Sequence, residues 1–260
     1  MDDSARRIEI AHASAAGTKP PAPADDLAAA LNSTYGHLSG ADLLRPLIGQ
    51  VFTGRTALVS SFGTEAAVLL ALVASVDPAV PVIFLDTGKL FGETLRYRDR
   101  LAALLGLRDV RTIRPDAARL RAEDPDGTLW HSAPDACCRL RKVEPLERAV
   151  GGFDAWISGR KRYQGGERSR LPAVEARDGR IKINPLADWS RERIATAFAE
   201  WGLPRHPLEA DGFLSVGCMP CTDRVQDGED PRAGRWRGRG KTECGIHLPS
   251  RPAAAAASSR

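Results

Sequence analysis

Short apolar runs alternate with helical periodicities through the middle of this chain, and that alternation restricts the fold more than any other feature. Residues 56–61 (TALVSS) form an apolar run ending in small residues, followed by a helical pattern over 64–76. Residues 81–86 (PVIFLD) read as a second buried strand, and 93–105 again repeat apolar residues at helical spacing. Further strands fit 109–113, 154–158 and 181–186, and residues 191–201 read as a helix with Ser190 as its N-cap. Such alternation predicts an α/β fold, a doubly wound and mostly parallel sheet with helices on both faces. Ligands in such folds sit outside the carboxyl ends of the strands. Three polar segments, 60–65, 86–89 and 158–162, should therefore meet in one crevice.

The 260 residues accommodate one large domain with flexible ends. Residues 11–25 are rich in Ala, Pro and Gly, and 249–260 contain an alanine run, so both ends read as mobile. The expected division is a flexible segment with a leading helix over 1–40, a main body over 41–221, and a mobile arm with a disordered tail over 222–260. No apolar run approaches the roughly 20 residues that span a bilayer. The N-terminus mixes Asp2, Asp3 and Glu9 with Arg6 and Arg7 and lacks an apolar core, which predicts a cytoplasmic protein. In that reducing compartment an odd set of five cysteines points to metal ligation or thiol chemistry rather than disulfides.

The cysteines are not scattered. Cys137-Cys138 and Cys218-Met219-Pro220-Cys221 form two tight groups. Zinc usually draws its ligands from two knuckles that wrap one tetrahedral ion, whereas adjacent cysteines diverge and suit a cluster whose separate irons each take one sulfur. A 4Fe-4S cluster is thereby favoured over zinc. Lys142 follows Cys138 by four residues, the same face of a helix, where its charge could offset the thiolates. The fifth cysteine stands alone in Lys241-Thr242-Glu243-Cys244-Gly245-Ile246-His247, and a thiol near basic residues has the character of a nucleophile. Taken by itself, it could equally be an incidental surface cysteine.

Two basic clusters bracket this chemistry. One holds Arg160, Lys161, Arg162, Arg168 and Arg170, and the other Arg232, Arg235, Arg237, Arg239 and Lys241. Guanidinium forks match phosphate and sulfate oxygens, although solvated loops would look the same. Ser60-Ser61-Phe62-Gly63-Thr64-Glu65 falls between a strand and a helix, where backbone amides favour an anion, but it lacks the lysine and spacing of a Walker A loop. Asp86-Thr87-Gly88-Lys89 ends the second strand, with Gly88 permitting a tight turn. For either segment a simple turn is an adequate explanation.

Together, residues 60–65, 85–90, Cys137-Cys138 with Arg141-Lys142, 218–221 and the Glu-Cys-Gly-Ile-His ending resemble the phosphoadenylyl-sulfate and adenylyl-sulfate reductases, in the adenine nucleotide alpha hydrolase-like fold group. The likeness covers most of the chain, and the paired cysteines with CxxC mark the iron-sulfur branch. It implies a 4Fe-4S cluster on Cys137, Cys138, Cys218 and Cys221 with Lys142 beside it, and adenylyl sulfate (APS) rather than its 3'-phosphorylated form (PAPS) as substrate, although some members accept both. It further implies attack by Cys244 to give an S-sulfocysteine, and thioredoxin as the reductant that releases sulfite in assimilatory sulfate reduction, the route to cysteine. The substrate residues it implies are Ser60, Ser61, Gly63 and Glu65 at the phosphate and ribose end, Leu85, Thr87 and Gly159 along the nucleotide, and Lys161, Arg162, Arg232 and Arg235 as the anion clamp. The same reading leaves room for a homo-oligomer.

Two other readings compete with this one. A zinc-stabilised nucleic-acid module would use the basic clusters, but no aromatic residues interleave them and no reading motif is present. An adenylating ATP enzyme of the same fold group would carry a Ser-Gly-Gly-x-Asp-Ser loop, where this chain has Ser61-Phe62-Gly63-Thr64-Glu65.

Overall fold

Six strands build one sheet: β1 (Thr56–Val59), β2 (Val82–Leu85), β3 (Val110–Ile113), β4 (Ala155–Ile157), β5 (Val174–Arg177) and β6 (Arg180–Ile183), in the order β3-β2-β1-β4-β6-β5. The computed structural model describes residues 24–247. The expected flexible stretches before 24 and after 247 lie outside the described residues. Every strand pair is parallel except β5 with β6.

Strand side chains alternate between two apolar layers, as the two-residue period requires. Leu58, Val82, Phe84, Ile157 and Ile183 enter the larger core, where they meet the helix Ala66–Val76. Ala57, Ile83 and Trp156 face the smaller layer, which the helix Glu144–Val150 covers with Leu146 and Val150. The helix Ala66–Val76 (AAVLLALVASV) buries six of its residues, and a helix so apolar can only sit inside a core. Ser190 caps the helix Arg191–Glu200 as expected, its side chain accepting from the Arg193 amide.

The sheet departs from expectation at its far edge. Residues 181–186 do not form one strand, because the backbone turns after Ile183, where the Ala187 amide donates to the Asn184 carbonyl at 3.0 Å. An additional antiparallel strand, β5, precedes β6 through a two-residue turn at Asp178 and Gly179, both with positive φ (48° and 74°). Asp-Gly is the residue pair such a hairpin turn favours, so its signal was present in the sequence. The helix Ala24–Tyr35 docks on this edge, with the Asn32 amide bridging the Val174 backbone on both sides.

One buried histidine gives the fold a pH dependence. His206 Nδ1 accepts from the Leu208 amide at 3.2 Å, so the ring proton sits on Nε2, which lies 3.1 Å from the Thr94 hydroxyl. Burial lowers its pKa from 6.5 to about 4. The folded value lies below the unfolded one, so this contribution to stability is complete above pH 6.5 and disappears as pH falls towards about 4. His206→Gln should flatten that limb of a melting-temperature profile, worth up to about 3 kcal/mol in all. Among the described residues no helix is long and apolar enough to cross a membrane.

Candidate functional site

The sheet order reverses at β1, whose neighbours are β2 on one side and β4 on the other, and a cavity of about 320 Å³ opens at the carboxyl ends of these strands. This is the switch-point crevice expected of a doubly wound fold. Ser60, Ser61, Gly63 and Glu65 line it after β1, Leu85 at the end of β2, and Gly159 and Lys161 after β4. Arg232, Arg235, Glu243, Cys244 and His247 close it from the C-terminal segment.

The loop after β1 is held in a specific shape. Phe62 adopts φ 48°, a left-handed conformation that an aromatic side chain takes only when its surroundings enforce it. The ring is fully buried edge-on against Phe84, centroids 5.4 Å apart, and its amide donates to the Ser60 hydroxyl at 3.2 Å. Glu65, at the start of the following helix, receives Lys161 Nζ at 2.7 Å, Gln164 Nε2 at 3.3 Å and the Tyr163 hydroxyl. Burial alone would raise the Glu65 pKa, but the Lys161 ammonium and these hydrogen bonds outweigh it and hold the carboxylate below its usual range. Lys161 is thereby committed to Glu65.

Two of the expected ligand-binding residues do not line this cavity. Arg162 starts a one-turn helix (Arg162–Gln164) that turns its guanidinium away, and Nε donates to the Leu171 carbonyl at 2.8 Å. Thr87 is buried, with its hydroxyl 3.3 Å from Cys218 Sγ, and so belongs with the cysteines. Conversely, Arg168 does enter the cavity wall, 75 residues from its partner. It grips Glu243 with both ends of its fork, at 2.6 and 2.8 Å. Arg232 adds a second cation 3.7 Å from the same carboxylate and donates to the Thr242 carbonyl at 3.1 Å.

The segment expected to be a mobile arm lies against the main body. Thr222 bridges Arg235, the Trp236 amide donates to the Cys221 carbonyl at 3.1 Å, and Arg239 donates to the carbonyls of Trp130 and Pro220. Cys244, expected to be exposed, is 9% exposed and packs with Cys138 and Trp236. Gly245 follows at φ 91°, where an added Cβ would stand 3.2 Å from Val143, so the turn that places Cys244 requires glycine.

The four remaining cysteines lie on two short segments, and Cys218 is in electrostatic reach of the other three. Cys137 and Cys138 end the helix Pro134–Cys138, and Cys218 precedes and Cys221 ends the turn Met219–Cys221. The chain after Cys138 is not the α-helix that a four-residue spacing presumes. It is a π-helical turn, Arg139–Val143, a geometry frequent at functional sites. Within it Arg141 turns inward, donating to Asp124 at 2.5 Å and to the Thr87 carbonyl at 2.8 Å. Lys142 stands among Cys218, Cys244 and Cys138. Burial opposes its charge, and the three sulfurs more than offset that, raising its pKa. Burial pushes Cys138 up to about 12. Cys218 is likewise opposed by burial, yet Lys142, Thr87 and Arg235 hold it below the usual thiol range.

Arg235 supplies the clearest sign of a missing partner. Its Nε is buried at the cavity wall with no hydrogen-bond partner among the described residues, while the guanidinium lies 4.4 Å above the Trp236 ring. A buried unpaired donor costs roughly 1–3 kcal/mol, more when charged, so the arrangement suits an anion brought from outside.

Residues 55–224 match the phosphoadenosine phosphosulfate reductase domain. An adenosine 5'-phosphosulfate reductase of Mesorhizobium japonicum is 51% identical over 85% of this chain and 87% of its own length. One from Chelativorans is 48% identical over 88% and 94%. Among solved structures, a phosphoadenylyl-sulfate reductase from Candida auris in a phosphate complex superposes with a TM-score of 0.65 at 26% identity, covering 80% of this chain and all of that one.

Proposed function

The chain belongs to the phosphoadenosine phosphosulfate reductase family, and from that premise we propose that it reduces APS to sulfite and AMP with thioredoxin as reductant, through an S-sulfocysteine on Cys244. The observation that carries this reading is that Cys244 lines the switch-point cavity beside Lys142, with Arg168, Arg232 and Arg235 lining the same cavity. A nucleophile, cations for developing negative charge and a nucleotide-sized crevice occupy one volume.

In the first step the Cys244 thiolate attacks the sulfonate sulfur, the bond from that sulfur to the bridging phosphate oxygen breaks, and AMP leaves with the electron pair. Arg232 and Arg235 face the phosphate on which charge accumulates. In the second, a thioredoxin thiolate attacks Cys244 Sγ and sulfite departs with the bonding electrons. The resulting mixed disulfide is resolved by the second thioredoxin thiol, so two thiols are oxidised as sulfur gains two electrons. Glu65, fixed by Lys161, shapes the ribose end, and backbone beside Leu85 and Gly159 frames the base.

Cys137, Cys138, Cys218 and Cys221 would hold a 4Fe-4S cluster. The fit rests on Cys218 lying in electrostatic reach of Cys137, Cys138 and Cys221, two of them on adjacent residues, with the buried Lys142 cation and the Thr87 hydroxyl turned towards it. When bound, the cluster would fix the two cysteine pairs relative to each other and tune the field around Lys142.

The direct test mixes enzyme and APS without reductant and reads the mass of the peptide containing Cys244. A sulfonate adduct with stoichiometric AMP is expected; an unmodified peptide overturns the reading. Gly217 offers a second test. A Cβ there would stand 2.2 Å from the Arg235 guanidinium, which can swing away because it is the end of a flexible side chain. Gly217→Ala should fold normally and raise the KM for APS about tenfold, equivalent to ~1.4 kcal/mol of lost binding.

A further inference from the structure

Lysine is almost never fully buried in a sheet, yet Lys182 lies at the centre of β6 with no exposure. Its strand neighbours are Trp156 on β4 and Glu175 on β5, so the three side chains form one row across the smaller apolar face. Glu175 already receives Arg160 and, at 3.1 Å, the Asn184 amide. Lys182 Nζ stands 4.5 Å over the Trp156 ring, 3.4 Å from Glu175 and, closer still, 3.2 Å from His247 Nδ1.

His247 comes from the other side of this contact. Its ring stacks on Trp156 at 8° with centroids 6.3 Å apart, while the preceding Ile246 packs beside Leu146 and Val150. The segment after Cys244 therefore completes the apolar layer that the helix Glu144–Val150 leaves uncovered, and Lys182 is the polar group under it. Burial, with Arg160, Arg177 and Arg168 nearby, brings Lys182 down to about 6. As an amine or as an ammonium it can donate to Nδ1, which leaves the His247 ring proton on Nε2.

We propose that Lys182 is a positioning residue for the reaction: by engaging His247 over Trp156 it seats the C-terminal segment and so fixes Cys244 at the wall of the nucleotide cavity. This rests on the reading of Cys244 as the reacting thiol, but it concerns where that thiol is held rather than what it attacks. Opening the segment would break the contact between Lys182 and His247, and with it the anchor three residues beyond the sulfur. The clamp of Arg168 and Arg232 on Glu243 holds the other side of Cys244, so the thiol is fixed from both directions.

The test measures alkylation of Cys244 in the full-length protein by iodoacetamide, read from the mass of its peptide, together with kcat and KM for APS. Lys182→Met keeps the stem over Trp156 and removes the donor. His247→Phe keeps the stacked ring and removes the acceptor. Each should raise the alkylation rate about tenfold, the scale of one buried hydrogen bond, and lower kcat; in Lys182→Met, whose side chain does not line the cavity, KM should change less than about twofold. The double variant should be no faster than either single variant. Unchanged rates in the singles, or effects that multiply in the double, overturn the proposal. Should Lys182→Met fail to fold, His247→Asn decides instead, since its amide oxygen can take the place of Nδ1. It should alkylate as slowly as the unaltered protein, and a rate equal to that of His247→Phe sinks the idea. Alkylation does not require sulfite release, so a failure of the reductase reading would appear separately, in the unaltered protein.

Discussion

Cys244→Ser is expected to end sulfite release, a loss of at least about a thousandfold, while APS binds within about threefold of the unaltered protein. The asymmetry follows from where the side chain sits. The loop after β1, the end of β2 and the loop after β4 provide most of the cavity wall, and none of them depends on the sulfur. Serine is smaller than cysteine and fits the space between Cys138 and Trp236 without displacing either. What it lacks is the chemistry. A hydroxyl is hardly ionised at neutral pH, and a sulfated serine would carry an oxygen where S-sulfocysteine carries the sulfur that thioredoxin attacks. Sulfite release under steady-state conditions and nucleotide binding to the same preparation read the two halves of the prediction. Turnover surviving at more than a few per cent would remove Cys244 from its role, and loss of binding alongside turnover would show that the thiol also supports the cavity.

How much of this site could be read in advance depends on the range of the signal. The buried parallel strands β1, β2 and β4 announce themselves as apolar runs, and they, with the more exposed edge strand β3, were legible within a residue or two of their ends. β5 was not, because VEAR carries no alternation strong enough to read. The Asp178-Gly179 pair could have betrayed it. The same limit governs the site. Ser60 to Glu65, Gly159 and the cysteine pairs are local motifs. By contrast, the grip of Arg168 on Glu243 and of Lys182 on His247 joins residues 75 and 65 positions apart, and only the fold brings them together. Lys161 and Arg162 show the converse. Both are basic and adjacent, yet a one-turn helix sends them in opposite directions, one to Glu65 and one to the Leu171 carbonyl. No count of charges distinguishes them.

Cys218→Ser should remove the iron and most of the activity together. Cys218 is the most constrained of the four candidate ligands: its backbone bridges Leu90, the next amide donates to the Lys89 carbonyl at 2.8 Å, and Thr87 and Lys142 both face its sulfur. Anaerobically purified protein is expected to be brown, with about four irons per chain, and the variant to be colourless with almost none. Activity should fall at least about a hundredfold, because the cysteine pairs also carry the C-terminal segment. The Trp236 amide is held by the Cys221 carbonyl, and Cys138, Trp236 and Cys244 pack as one group, so loosening the pairs displaces the thiol. Met219→Ala in the same turn is the control. That side chain is 57% exposed and should change neither iron nor turnover. Full iron retention in Cys218→Ser, or unaltered protein that carries one zinc and no iron, would refute the cluster assignment while leaving the thiol chemistry of Cys244 open to its own test.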